Sequence, residues 1–173
     1  GLDKPDTSFE LHLTDVTSIV KSSNFEVFTK AIKQNGIVKC INAKNCASFS
    51  RTLIEELTSF VAVYGSKGLA WMKVTDKGLE SSIVKFFDEK IQKELIKVTN
   101  AKKEDLLLFV ADSDHNIVNE ALGNLRVELA KRLKLIDNNH FNFVWIVDFP
   151  FFKKDEHDNW TFTHNPFSAP KPE

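Results

Sequence analysis

The sequence predicts an α/β (α+β) fold: a central mixed sheet packed by helices, with a β-hairpin at the C-terminal end. Three observations carry this. Strand-like and helix-like stretches alternate along most of the chain with short links, the pattern of a sheet covered by helices. Leu106-Leu-Leu-Phe-Val110 is an unbroken apolar run, which suits a central strand covered on both faces. Val118, Leu122, Leu125, Leu129 and Leu133 recur at helical spacing and form the inner stripe of the longest helix.

The chain opens with a polar, proline-bearing lead-in, Gly1 to Thr7. Phe9-Glu-Leu-His-Leu13 alternates apolar and polar and predicts a short strand. Thr14 or Asp15 can cap a helical turn with Val16, Ile19 and Val20 on its inner side. The apolar spacing of Phe25 to Ile32 suits either helix or strand. After Gly36, Ile37-Val-Lys-Cys-Ile41 reads as a strand and Asn42 to Ser50 as a loop. Ser50 or Thr52 then caps a helix carrying Leu53, Ile54, Leu57, Phe60, Val61 and Tyr64 on one face, with Gly65 as its stop.

Leu69 to Val74 is the next strand, Asp76-Lys-Gly78 a turn and Ser82 to Phe87 a helical turn. Asp88 caps a helix bearing Ile91, Leu95 and Val98 and closed by Asn100. Asp112 or Ser113 caps the long helix. Phe141 to Phe152 is too densely apolar for a solvent-facing strand, so it reads as covered on both faces, with Trp145 in the core. Pro150 lacks a backbone donor and should end regular pairing there or place it at an edge. Lys153 to Asn159 is a polar loop, and Trp160 and Phe162 alternate with threonines on the returning strand. That strand delivers His164 into a proline-bracketed turn.

A chain of 173 residues, 42% hydrophobic and 27% charged, is ordinary for about one globular domain. Its formal charge of −1 provides no bulk electrostatic footprint for nucleic acid. There is no signal peptide and no apolar run long enough to span a membrane, so a cytoplasmic location is expected. Cys40 and Cys46 do not make a disulfide framework, and their spacing is not that of a zinc site. Cys40 alternates with Val38 and reads as a small buried hydrophobe. The five histidines contain no i, i+4 pair, and no serine-hydrolase, P-loop or dinucleotide motif occurs. The basic pairs Lys102–Lys103, Lys131–Arg132 and Lys153–Lys154 read as solvated faces or as weak phosphate contacts to RNA. On the residues alone, His164 is a surface turn residue.

Trp145-Ile-Val-Asp-Phe-Pro-Phe-Phe152 followed by His164-Asn-Pro-Phe-Ser-Ala-Pro-Lys171 resembles a signature of bacterial-type aspartyl-tRNA synthetases, a WVVDFP strand and an HHPFT-[SA]-PK turn. Gly1-Leu-Asp-Lys-Pro-Asp-Thr-Ser-Phe9 is similar to that family's YG-x-DKPDTRF, with Ser8 in place of its arginine. Gly65-Ser-Lys-Gly-Leu-Ala-Trp-Met-Lys-Val74 resembles YGAKGLAWIKV, Phe109-Val-Ala-Asp112 resembles FVAD, and Ala121-Leu-Gly-Asn-Leu-Arg126 resembles ALGALR. The likeness runs the whole length, in order.

The resemblance implies three segments. Residues 1–24 would be a connector from a catalytic domain, 25–140 a GAD-like insertion domain, and 141–173 a hairpin returning to the class II synthetase sheet. It implies a parent enzyme that attaches L-aspartate to tRNA using ATP and Mg2+, as a homodimer. The arginine-bearing motif 2 and glycine-rich motif 3 that hold ATP in class II synthetases do not occur here. This stretch is therefore expected to be non-catalytic, structural or tRNA-contacting, monomeric, and without a cofactor or metal of its own. Its implied partners are tRNA and the rest of the synthetase chain. His164 matches the first histidine of HHPFT, which in the family contacts bound aspartate or adenylate; it is the one substrate-binding residue implied. Asn165 stands where the second histidine would be. The alternative is a GAD interaction module of a tRNA-dependent amidotransferase subunit, against which the WIVDFP and HNPFSAPK segments argue.

Overall fold

A computed structural model of the chain describes residues 6–136 and, further on, residues 142, 144, 145, 147, 150–155, 157 and 159–163. The chain divides into two compact units, residues 1–140 and 141–173.

In the first unit, β1 (Leu13–Asp15), β2 (Ile37–Ala43), β3 (Ala70–Thr75), β4 (Gly78–Glu80) and β5 (Leu106–Asp112) form one sheet in the order β1-β2-β5-β3-β4. β5 lies at its centre because it is apolar on both faces. Leu106, Leu108 and Val110 enter one core, whose helical side comes from α3 (Arg51–Ala62) and α5 (His115–Arg132). Leu107 and Phe109 enter the other, against α1 (Thr17–Val20), α2 (Glu26–Lys33) and α4 (Glu89–Val98).

Helices packing a central sheet match the expected fold class, but the sheet is not mixed. Every neighbouring pair is antiparallel. β2 and β3 run in the same direction and α3 connects them, as the strand–helix–strand alternation suggests. β5 then inserts between them in the opposite direction, so no parallel pair forms. The long-range insertion decides the outcome.

Local signals placed most of the helices. Ser50 Oγ accepts from Leu53 N at 3.1 Å, Asp88 Oδ1 accepts from Ile91 N at 2.8 Å, and each caps its helix. Gly65 follows α3 at φ +83°, a backbone conformation that suits glycine. The stretch from Phe25 that suited helix or strand is α2, with Phe28 and Ala31 inward.

Three details differ from expectation. Asp114, not Asp112 or Ser113, caps α5, accepting from Asn116 N at 2.8 Å. Asp112 still belongs to β5, and its own Oδ1 receives the Asp114 amide at 3.0 Å. Val98 lies half exposed at the end of α4. The third concerns Phe9 to Leu13, which forms no strand before Leu13. Leu11 takes φ +69°, and the carbonyls of Phe9, Glu10 and Leu11 are claimed by a side chain rather than by a ladder.

In the second unit, β6 (Phe152–Lys154) pairs antiparallel with β7 (Trp160–Phe162), Phe152 opposite Phe162. Asp155 Oδ1 receives the amides of His157 and Asn159, both at 2.9 Å, and closes the connecting loop. The rings of Phe151, Phe152 and Phe162 meet at centroid distances of 4.9–5.6 Å. The returning strand is where it was expected. Of the covered strand expected before Pro150, the described residues 142, 144, 145 and 147 lie in no strand and Trp145 is 97% exposed rather than a core residue; its other positions lie outside the described residues. Apolar density cannot make a strand without a ladder partner, and among the described residues of this unit ladder pairing runs from Phe152, past Pro150, whose nitrogen has no proton to give. Lys153 and Lys154 accordingly belong to β6 and not to the loop.

Candidate functional site

A cleft of about 560 Å³ opens in the first unit between α2, the end of β5 and the start of β3. Its origin is a gap in the sheet. The ladder between β3 and β5 stops at Ala70↔Phe109, although β5 continues to Asp112. In that register Gly68 would face Ala111, but no pair forms there, and a Cβ on Gly68 would point into open space. Small side chains at Ala31, Ala70 and Ala111 keep the floor low.

Phenyl rings build one wall. Phe25 meets Phe28 edge-on at 4.8 Å, and Phe28 meets the fully buried Phe109 at 5.8 Å. The rim is polar, formed by Lys30, Gln34, Lys67, Ser82 and Ser113. Asp112 is the one carboxylate lining the cleft. It is buried, and Lys67 Nζ lies 3.2 Å from its Oδ2. Burial pushes its carboxyl upward, but the Asp114 amide, the Lys67 ammonium and the Ser113 hydroxyl together outweigh burial and hold it below the ordinary value. Lys67 and Asp112 come from two of the segments singled out in the sequence, Gly65–Val74 and Phe109–Asp112. Periodicity gives no hint of this cleft; the sole sequence signal is the break Gly65-Ser-Lys-Gly68 between helix and strand.

A second assembly joins two other such segments. Arg126 on α5 donates to the carbonyls of Asp6 at 2.6 Å, Phe9 at 2.7 Å, Glu10 at 3.0 Å and Leu11 at 3.1 Å. It anchors the lead-in to the domain, a structural task.

His164 lies outside the described residues. Members of the basic pairs meet local partners. Lys103 pairs with Asp76 at 2.7 Å, Arg132 with Glu128 at 2.7 Å and Glu56 at 3.2 Å, and Lys154 sits 5.6 Å over the ring of Trp160. Cys40 is a fully buried strand residue, as its alternation with Val38 predicts. Burial pushes its thiol far up and the Cys46 thiol up to about 11, so neither is a ready nucleophile. Among the described residues no three His, Cys, Asp or Glu side chains converge, and no helix is long and apolar enough to cross a membrane.

Comparison with known proteins adds the family. The GAD domain family matches residues 28–122, which include most of the cleft. The chain belongs to the GAD domain family. Beyond the GAD domain, the whole chain is similar to proteins named aspartate–tRNA(Asp/Asn) ligase. It is 50% identical to that of Brachyspira hyodysenteriae over 100% of this chain and 30% of the relative. It is 49% identical to that of Desulfatibacillum aliphaticivorans over 100% of this chain and 29% of the relative. With that of Geobacillus sp. (strain WCH70) the identity is 52%, covering 98% and 29%. The chain thus spans about 30% of the length of these relatives. In this GAD domain the likeness extends past the family's own limits on both sides, through the lead-in and the β6–β7 hairpin.

Proposed function

We propose that this chain is the GAD insertion domain of an aspartate–tRNA ligase, together with the segments that tie it to the catalytic sheet. The observation carrying this reading is the continuous match, at about half identity, to ligases of which the chain spans under a third. The parent attaches L-aspartate to tRNA at the expense of ATP, acts on the aspartate and asparagine tRNAs named for its relatives, and works as a cytoplasmic homodimer. Its ATP and Mg2+ belong to other parts of the parent, since motifs 2 and 3, which hold ATP in class II synthetases, do not occur in this sequence. His164 contributes to the aspartate pocket, where an imidazole N–H donates to a carboxylate or adenylate oxygen. The domain itself is non-catalytic, and its partners are the remaining synthetase chain and tRNA. An amidotransferase interaction module is less well supported, since the likeness to ligases includes the segments beyond the GAD domain.

The test is aspartate-dependent pyrophosphate exchange with the 173-residue chain, the full-length parent and the parent's His164→Ala variant. No exchange is expected from the chain alone, full exchange from the parent, and a loss of about 100-fold from the variant. Exchange by the isolated chain would overturn the non-catalytic reading. An unimpaired variant would remove His164 from the pocket.

A further inference from the structure

The cleft beside Lys67 and Asp112 has the features of a small-molecule site that the ligase reading leaves unused. It is concave, its wall is aromatic, and its rim carries a few polar groups, the usual make-up of a ligand pocket. Its charge is unbalanced toward the cationic side. Asp112 Oδ1 accepts from the Asp114 amide at 3.0 Å and the Ser113 hydroxyl at 3.3 Å, while its buried Oδ2 makes no hydrogen bond and faces the Lys67 ammonium at 3.2 Å. Lys67 nevertheless remains 83% exposed, with ammonium protons to spare. Among the described residues, the side chains of Lys30, Gln34 and Ser82 engage no partner at all. Their unengaged donors surround an apolar floor.

We propose that this cleft binds a small anion with a flat apolar body. The body packs against Phe25, Phe28 and Ile83, and the anionic group is met by Lys30 and Lys67. Gln34 and Ser82 supply directional hydrogen bonds at the rim. The gap in the ladder at Gly68 and Ala111 is what admits the ligand, because a continued β3 would fill it. An aromatic carboxylate and a phosphorylated aromatic nucleoside share this chemistry. A neutral ring lacks the partner for the lysines, and a bare inorganic anion lacks the partner for the phenyl wall.

The experiment is a titration of the 173-residue chain, isotope-labelled and followed by amide NMR, with 2-naphthoate, AMP and the neutral isostere 2-naphthylmethanol. Saturable one-to-one shifts centred on Gly68, Ala70 and Ala111 are expected from at least one of the two anions. Whichever anion binds more tightly identifies the source. The neutral isostere should bind about tenfold more weakly, and Lys30→Glu, an exposed change, should weaken the anion by about tenfold. Ala70→Phe, which fills the floor, should abolish the shifts. Each variant's own amide spectrum checks that it is folded. Shifts that do not saturate, that centre elsewhere, or that persist in folded Lys30→Glu at unchanged affinity would overturn the proposal. Equal binding of the neutral isostere would do so too. Concentration-dependent shifts of these amides without ligand would mean that a second copy of the chain occupies the cleft, and would equally overturn it.

Discussion

The guanidinium carbon of Arg126 lies 4.1 Å from the centre of the Phe9 ring, while its nitrogens reach four main-chain carbonyls between Asp6 and Leu11. One side chain thus binds a segment well over 100 residues away in sequence. A planar cation with several fixed donors suits this task, because lysine has neither the flat face nor the fork. With Phe9 and Leu11 buried in the α5 side of the core, the lead-in becomes part of the domain.

Replacing Arg126 by alanine should cost about 3 kcal/mol, since charge-assisted bonds and a stacked face are lost together and several carbonyls lose their donor. Urea unfolding gives the magnitude. Hydrogen exchange should show the amides of residues 9–13 opening before the rest of the unit. Arg126→Lys should recover only part of the loss; full recovery would mean that charge alone holds the segment.

Gly36 occupies the turn between α2 and β2 where the backbone passes under the cleft. A Cβ there would lie 2.2 Å from the Asp112 carbonyl oxygen, 2.6 Å from Ser113 Cα and 2.7 Å from the Ala31 carbonyl oxygen. None of these can swing aside. Gly36→Ala should therefore destabilise the unit by roughly 3 kcal/mol or more. Gly68→Ala meets open space and should stay within about 0.5 kcal/mol of the parent chain. Similar thermal midpoints for the two variants would contradict this contrast.

Asp112 links the acid stability of the fold to the cleft. Burial raises its carboxyl, but the Asp114 amide, Lys67 and Ser113 win, and the folded-state value lies below the ordinary 3.8. A depressed carboxylate stabilises the fold above its unfolded value, and that contribution is lost as pH falls through the folded one. Asp112→Asn should accordingly be less stable than the parent near neutral pH, and the gap should narrow as pH drops below about 4. Urea midpoints measured across that range decide it. A gap that stays constant on acidification would show that the charge of Asp112 is not what matters.

The helices and their ends were legible because their causes are short-ranged. Ser50 and Asp88 reach amides three residues away, Gly65 relieves its own backbone, and the Val118-to-Leu133 stripe repeats within one helix. β5 was legible for a related reason, since seven residues apolar at nearly every position suit only a strand covered on both faces. The same logic failed in the stretch before Pro150, whose described residues lie in no strand. Its composition is equally apolar, but composition cannot say whether a partner backbone is at hand.

The sequence by itself determined most of the helices, though not α2, and also which strand is central, that Cys40 is core, and which family the motifs resemble. Tertiary structure alone decided that β5 runs against β2 and β3, that Phe9 to Leu11 yields its carbonyls to Arg126, and that the β3–β5 ladder stops short and leaves a cleft. Each of these depends on which distant backbone satisfies a given donor or acceptor. Such pairings are settled when the core closes, and no local pattern encodes them.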